Sequence, residues 1–180
     1  EYFLINDGKN IKDFKRLILP GVGSFKSAMK SLNEKQMIEP IKNILNQTDQ
    51  SILGICLGMQ LFYSWSEEDG GCEGMNLIEG KVLKINSNHS PVPNTGWREC
   101  EIINDDDMLF KGIDPNPIFY FVHSYGCVAK NQGNVSSKIL YETSIDASFN
   151  FKNLYGTQFH PEKSQSKGLD LLRNFLSLNE

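Results

Sequence analysis

Apolar and polar positions along this 180-residue chain alternate between two spacings. Short apolar runs closed by turn residues predict strands, and apolar residues recurring at steps of three and four predict helices. Tyr2-Phe3-Leu4-Ile5 reads as a first strand. Arg16-Leu17-Ile18-Leu19 reads as a second, closed by Pro20-Gly21. Ser24 is placed to cap a helix whose apolar face carries Phe25, Met29 and Leu32. Another helical stretch carries Ile38, Ile41, Ile44 and Leu45. Ser51 to Ile55 predicts the next strand. From Leu57 the spacing turns helical again, with Leu61 and Trp65 following at steps of four. Strands and helices alternating at such lengths predict a parallel sheet covered on both faces.

The second half differs. Leu83 to Ile85, Ile118 to Val122, Ile139 to Tyr141 and Leu154 to Phe159 read as strands with few helices between them. Phe149 and Phe151, a turn near Asn153, then Tyr155 predict a hairpin into the last of these. Leu169, Leu172 and Leu176 give a closing amphipathic helix, and Asp105-Asp106-Asp107 reads as a solvated loop. The expected fold is therefore α/β, with a central mixed, largely parallel sheet flanked by helices. No repeat or linker divides the chain, so residues 1–180 are read as one domain.

Composition narrows the function. At 39% hydrophobic and 22% charged the chain can bury a substantial core. A net charge of −4 argues against a partner built on phosphates, so nucleic acid is not expected. No apolar run approaches the roughly 20 residues that span a bilayer, and no secretory signal pattern is present. Cys56, Cys72, Cys100 and Cys127 are scattered, without a C-x-x-C pair. That usage predicts reduced thiols and a cytoplasmic protein. His89, His123 and His160 lie far apart, so no metal site is expected. His123 reads as structural, and Cys72, Cys100 and Cys127 as inert.

Two segments carry chemistry. In Gly54-Ile55-Cys56-Leu57-Gly58-Met59-Gln60 an apolar strand ends at a cysteine flanked by glycines, and a helix begins at once. Such a sharp strand-to-helix turn presents a nucleophile at the top of a sheet. Its glycines let strand and helix press close, and a helix N-terminus favours negative charge on the sulfur. The bland alternative is a buried structural cysteine. In Phe159-His160-Pro161-Glu162 the proline holds His160 extended, and Glu162 stands where a carboxylate could orient the imidazole. A thiol nucleophile needs such an oriented base. Taken alone, a surface histidine at a strand end would look the same.

Together these segments resemble the class I (triad) glutamine amidotransferases. The finer resemblance is to the glutaminase subunits of imidazole glycerol phosphate synthase. It is carried by Met59, Tyr120-Phe121-Val122-His123-Ser124-Tyr125, Gly96-Trp97, Pro161-Glu162-Lys163-Ser164-Gln165 and Pro20-Gly21-Val22-Gly23. The resemblance implies a three-layer, flavodoxin-like fold and hydrolysis of L-glutamine, with no cofactor. It implies Cys56 as nucleophile, His160 as base and acid, and Glu162 as its orienting group. Gly21, Val22, Gly23 and Leu57 would form an oxyanion site. Gly54, Gln60, Glu68, Ser124 and Tyr125 would hold the substrate. Trp97 and Lys163 would face a TIM-barrel cyclase subunit in a heterodimer.

Two departures stand out. The resemblance implies a strand-helix unit of about 25 residues before Tyr2 that this chain lacks. The segment Pro93-Asn94-Thr95-Gly96-Trp97-Arg98 also differs from the family's His-Met-Gly-Trp-Asn. Paralogous amidotransferases serving surface-polysaccharide sugars therefore remain an alternative. So do a γ-glutamyl peptidase and a non-catalytic module that props up a partner.

Overall fold

The computed structural model describes residues 2–47 and 49–178. Its first strand is β1 (Arg16–Gly21), followed by helices α1 (Phe25–Glu34) and α2 (Ile38–Asn43) and by strand β2 (Ser51–Cys56). Ser24 caps α1, its hydroxyl accepting the Ser27 N–H at 3.4 Å. A single helical turn, α3 (Leu57–Gln60), leaves β2 directly. Strands β3 (Tyr63–Ser66), β4 (Cys72–Glu73) and β5 (Ile78–Lys84) follow, then β6 (Asn94–Glu99) and β7 (Glu101–Ile102). The remaining strands are β8 (Ile118–His123), β9 (Tyr125–Ala129), β10 (Val135–Tyr141), β11 (Thr143–Phe151) and β12 (Leu154–Thr157). Helix α4 (Gln165–Leu176) closes the chain.

The main sheet runs β1-β2-β12-β11-β9-β5-β3-β4, with β10 on β11 and β7 on β10. It is mixed, as the sequence predicts. The β1–β2–β12 end is parallel, and the expected hairpin joins β11 to β12 with Phe151 opposite Leu154. β6 and β8 form a separate antiparallel ribbon. All six residues of β2 are buried, because the sheet is covered on both faces there. One face packs Ile52, Leu57 and Met59 with Phe25 and Leu32 of α1 and Ile41 of α2. The other packs Leu53 and Ile55 with Leu171 and Phe175 of α4. Helices thus lie on both faces, and the tips of β2 and β12 emerge between them.

Four local expectations fail. Residues 2–5 form no strand; Tyr2, Phe3 and Leu4 are 87%, 62% and 83% exposed, and no ladder receives them. The helix after Cys56 stops within a turn, so Trp65 lies in β3. There β3 is held on both sides, by β4 and β5, and tertiary pairing overrides local helical spacing. α4 turns Leu171 and Phe175 inward and leaves Leu169 and Leu176 about half exposed. Leu171 and Phe175 pack there with Leu53, Ile55 and Tyr155 of the sheet. Finally, Asp107 is 1% exposed, because its carboxylate accepts the Leu109 N–H at 2.9 Å and starts a turn of 3-10 helix.

Candidate active site

The strand-to-helix turn puts Cys56 at φ 53° and ψ −109°, a region that non-glycine residues rarely occupy. The surrounding packing enforces it. A Cβ on Gly58 would stand 1.8 Å from the Leu19 carbonyl oxygen of β1. A Cβ on Gly54 would stand 2.6 Å from the Phe62 ring and 2.7 Å from the Gly58 backbone. Glycine at both positions lets β1, β2 and α3 close on the turn, which lifts the Cys56 side chain to the end of the sheet.

His160 arrives from the neighbouring strand. β12 pairs in parallel with β2, so the two chains reach the same edge of the sheet together. His160 is extended at φ −99° and ψ 95°, as a residue before proline should be. Ser164 pins the turn: its hydroxyl donates to the His160 carbonyl at 2.7 Å and accepts the Tyr120 N–H at 3.0 Å. The His160 N–H in turn donates to the Tyr120 carbonyl at 2.9 Å. Glu162 then reaches back, and His160 Nδ1 donates to its Oε1 at 2.7 Å. That bond leaves Nε2 as the other ring nitrogen, buried and without a hydrogen-bond partner in good geometry among the described residues.

The Cys56 side chain lies beside it. Cys56 first, and then Glu162, push the imidazole up to about 9 against burial, which works the other way. For Glu162, burial opposes ionisation. The bonds from His160 and from its own backbone N–H, with the Lys163 charge, prevail and hold the carboxyl below its usual value. His123, close by, behaves oppositely: burial pushes it down to about 4, so it is neutral. Its Nδ1 lies 2.8 Å from the Tyr125 carbonyl, which can only accept, and its Nε2 lies 3.0 Å from Asn94 Nδ2. The neutral tautomer with the proton on Nδ1 satisfies both partners.

Cys56 and His160 open into one cavity of about 390 Å³. Val22, Gly23, Leu57, Gln60, Glu68, Ser124 and Tyr125 line it, with His123, Val122 and Pro93. Gly21 lies just below, where an added Cβ would be 3.1 Å from the Leu57 Cβ. Gly23 holds φ +98°, and Leu57, opening a helical turn, has an N–H that the turn cannot satisfy. Gln60 spends its amide hydrogens internally, on the Tyr125 carbonyl and on Gln158 Oε1, each at 3.0 Å. Only its oxygen is left for a ligand. Glu68 Oε2 accepts the Phe25 N–H at 2.7 Å, tying the start of α1 to the cavity wall. Trp97 and Lys163 lie outside the cavity. The Trp97 ring meets Tyr120 edge-on at 5.8 Å, and the Lys163 ammonium stands 5.9 Å from the same Tyr120 ring.

Sequence reading passed over Gln158 and Ser164. Both sit inside the histidine motif, yet nothing in their spacing shows which way a side chain turns. A second cavity, about 530 Å³, lies by Asp105, Asp106 and Lys111 and holds no nucleophile. Among the described residues no three His, Cys, Asp or Glu side chains group as metal ligands do.

The family model "Glutamine amidotransferase class-I" matches residues 4–178. The imidazole glycerol phosphate synthase subunit HisH 1 of Campylobacter jejuni (strain RM1221) is 45% identical over 177 residues, covering 98% of this chain and 87% of that protein. The imidazole glycerol phosphate synthase subunit HisH of Haemophilus influenzae (strain ATCC 51907 / DSM 11121 / KW20 / Rd) is 44% identical, over 94% and 81%. Among solved structures, a crystal structure of a glutamine amidotransferase superposes with a TM-score of 0.69 at 15% identity, covering 96% of this chain and 82% of that one. PurLQS from Thermotoga maritima superposes with a TM-score of 0.69 at 19% identity, over 91% and 79%. At those identities the two structures speak for the fold alone.

Proposed function

The chain belongs to the class I glutamine amidotransferases, and we propose that it is the glutaminase subunit of an imidazole glycerol phosphate synthase, hydrolysing L-glutamine for histidine biosynthesis. The observation that carries this reading is the meeting, in one cavity, of a strained strand-end cysteine with a histidine already held by a carboxylate. Relatives carrying that subunit's name across nearly the whole chain support the pathway.

In the proposed mechanism the proton shared by Cys56 and His160 rests on His160 Nε2, and the sulfur attacks the side-chain carbonyl carbon of glutamine. The Leu57 N–H and the Gly21-Val22-Gly23 loop face the oxyanion that forms. Collapse breaks the carbon–nitrogen bond, and His160 passes its proton to the departing amine, which leaves as ammonia. The thioester is then opened by water, whose proton His160 accepts, and glutamate is released with the thiol restored. Glu162 keeps the imidazole in the orientation both steps need. Gln60 Oε1 and Glu68 can accept hydrogen bonds from the substrate ammonium, and Ser124 and Tyr125 line the same cavity. All the groups required come from the chain, so no cofactor enters the mechanism.

Ammonia released to water would be lost, so the product is handed to a cyclase subunit, a TIM barrel, in a cytoplasmic heterodimer. Trp97, Tyr120 and Lys163 form the surface proposed to dock it. No described helix is long and apolar enough to cross a membrane. The test is Cys56→Ala in the complex with the cyclase. Glutamine-dependent synthesis should fall at least a thousandfold while synthesis from added ammonium salt is kept. Unchanged glutamine-dependent turnover would sink the reading.

A further inference from the structure

Gln158 is fully buried beside Cys56, and its amide is wired at both ends. Its Oε1 accepts from Gln60 Nε2 at 3.0 Å and faces Cys127 Sγ at 3.9 Å. Its Nε2 lies 3.6 Å from Cys56 Sγ, a normal length for an N–H bond to sulfur. The direction of this amide is not arbitrary. Gln60 Nε2 donates to the Tyr125 carbonyl at 3.0 Å, and a backbone carbonyl can only accept. Gln60 must therefore present its amino end, which also faces Gln158. Gln158 must in turn present its oxygen to Gln60. Turning Gln158 over would set two amino groups against each other and an oxygen against the sulfur. Turning both amides over would set Gln60 Oε1 against the Tyr125 carbonyl. Only one arrangement satisfies every partner, and it points an N–H at the nucleophile.

We infer that Gln158 is a further catalytic residue, a fixed hydrogen-bond donor that stabilises the Cys56 thiolate from outside the cavity lining, while His160 serves it from within the cavity. A hydrogen bond to a charged acceptor is stronger than one to a neutral group, and stronger still in a water-free site. The bond therefore favours the thiolate over the thiol. Cys127 reinforces the polarity. Burial pushes its thiol well up, so it remains a neutral S–H that adds a weak donor to Gln158 Oε1. Because Gln60 also lines the cavity, the same chain joins the substrate wall to the sulfur.

The inference rests on Cys56 as the nucleophile, but it can be read from the sulfur without turnover. In the complex with the cyclase, alkylation of Cys56 by iodoacetamide is followed at pH 7 by mass spectrometry of the Cys56 peptide. Gln158→Leu should slow it about tenfold, and kcat for glutamine hydrolysis should fall by a similar factor with KM changed less than twofold. Gln158→Glu keeps the shape and should be slower still at pH 8. Its deficit against the wild type should narrow as pH falls and the carboxyl regains a proton to donate. Thermal unfolding of both variants shows whether the fold is kept; should Gln158→Leu fail to fold, the isosteric Gln158→Glu decides. Wild-type alkylation rates in folded variants would overturn the assignment, even if hydrolysis were impaired. Glutamine hydrolysis surviving in Cys56→Ala would instead overturn the nucleophile, a separate failure.

Discussion

Cys56, Gln158 and His160 show how much of this site is decided by single atoms. His160 keeps its proton up to about pH 9 because the Cys56 side chain and the Glu162 carboxylate both favour the charged ring. Its value is raised above the ordinary 6.5, so the associated stability is complete below about pH 6.5 and fades as pH rises through 9. Catalysis should share that limit. The alkaline limb of glutaminase kcat/KM is expected near pH 9, measured in the complex across pH 6–10. Glu162→Gln removes one of the two raising influences, so its alkaline limb should move to lower pH. An unmoved limb would detach Glu162 from His160. Histidine and carboxylate could be paired from sequence because the proline between them restricts the backbone to few arrangements. Gln158 could not, since its role depends on which way an amide faces, and that is set by a carbonyl on another strand.

At the scale of elements, the elbow is a contact among three chain segments. Gly58 has no room for a side chain because the Leu19 carbonyl of β1 occupies the space. Gly58→Ala should destabilise the protein by roughly 1–3 kcal/mol, through forced separation of β1 from α3. Urea unfolding measures it, and glutaminase activity should fall at least tenfold because Cys56 moves with the turn. β2, α1 and the β11–β12 hairpin follow the apolar spacing closely, as buried strands and well-capped helices do. The stretch after Cys56 does not. Leu61 and Trp65 keep helical spacing, but β5 offers a ladder and β3 takes it. The inward face of α4 differs from the expected one for a related reason. Its spacing allows more than one apolar stripe, and the shape of the pocket beneath selects Leu171 and Phe175.

For the molecule as a whole, the β6–β8 ribbon links the cavity, through Val122 and His123, to an exposed aromatic patch at Trp97. The Trp97 ring is 42% exposed, rests on Tyr120 and stands near Lys163, whose neighbours His160 and Glu162 belong to the site. In the proposed complex, a partner gripping this patch would pull on the turn that carries His160. Trp97→Ala should weaken cyclase binding by about 2 kcal/mol, roughly thirtyfold in Kd, by calorimetry or biolayer interferometry. Its urea midpoint should stay near the wild type, because the ring is outside the core. Glutamine hydrolysis by the free subunit should be slow and rise on adding the cyclase, as docking aligns the loop at residues 21–23. Equal rates with and without cyclase would remove the docking surface from the mechanism.

By itself the sequence determined that β2 ends in a sharp turn carrying a cysteine between glycines, that a proline-braced histidine and glutamate lie over a hundred residues later, and that strands and helices alternate around them. Those features follow from local sterics and apolar spacing, which need no knowledge of neighbours. Tertiary structure alone decided that β12 runs parallel beside β2, which brings His160 to Cys56. It also decided that Glu68 ties α1 to the cavity, that Asp107 is buried, and that Gln158 faces the sulfur. Each depends on which distant group fills the adjacent space or supplies the missing donor. No single stretch of chain carries that information.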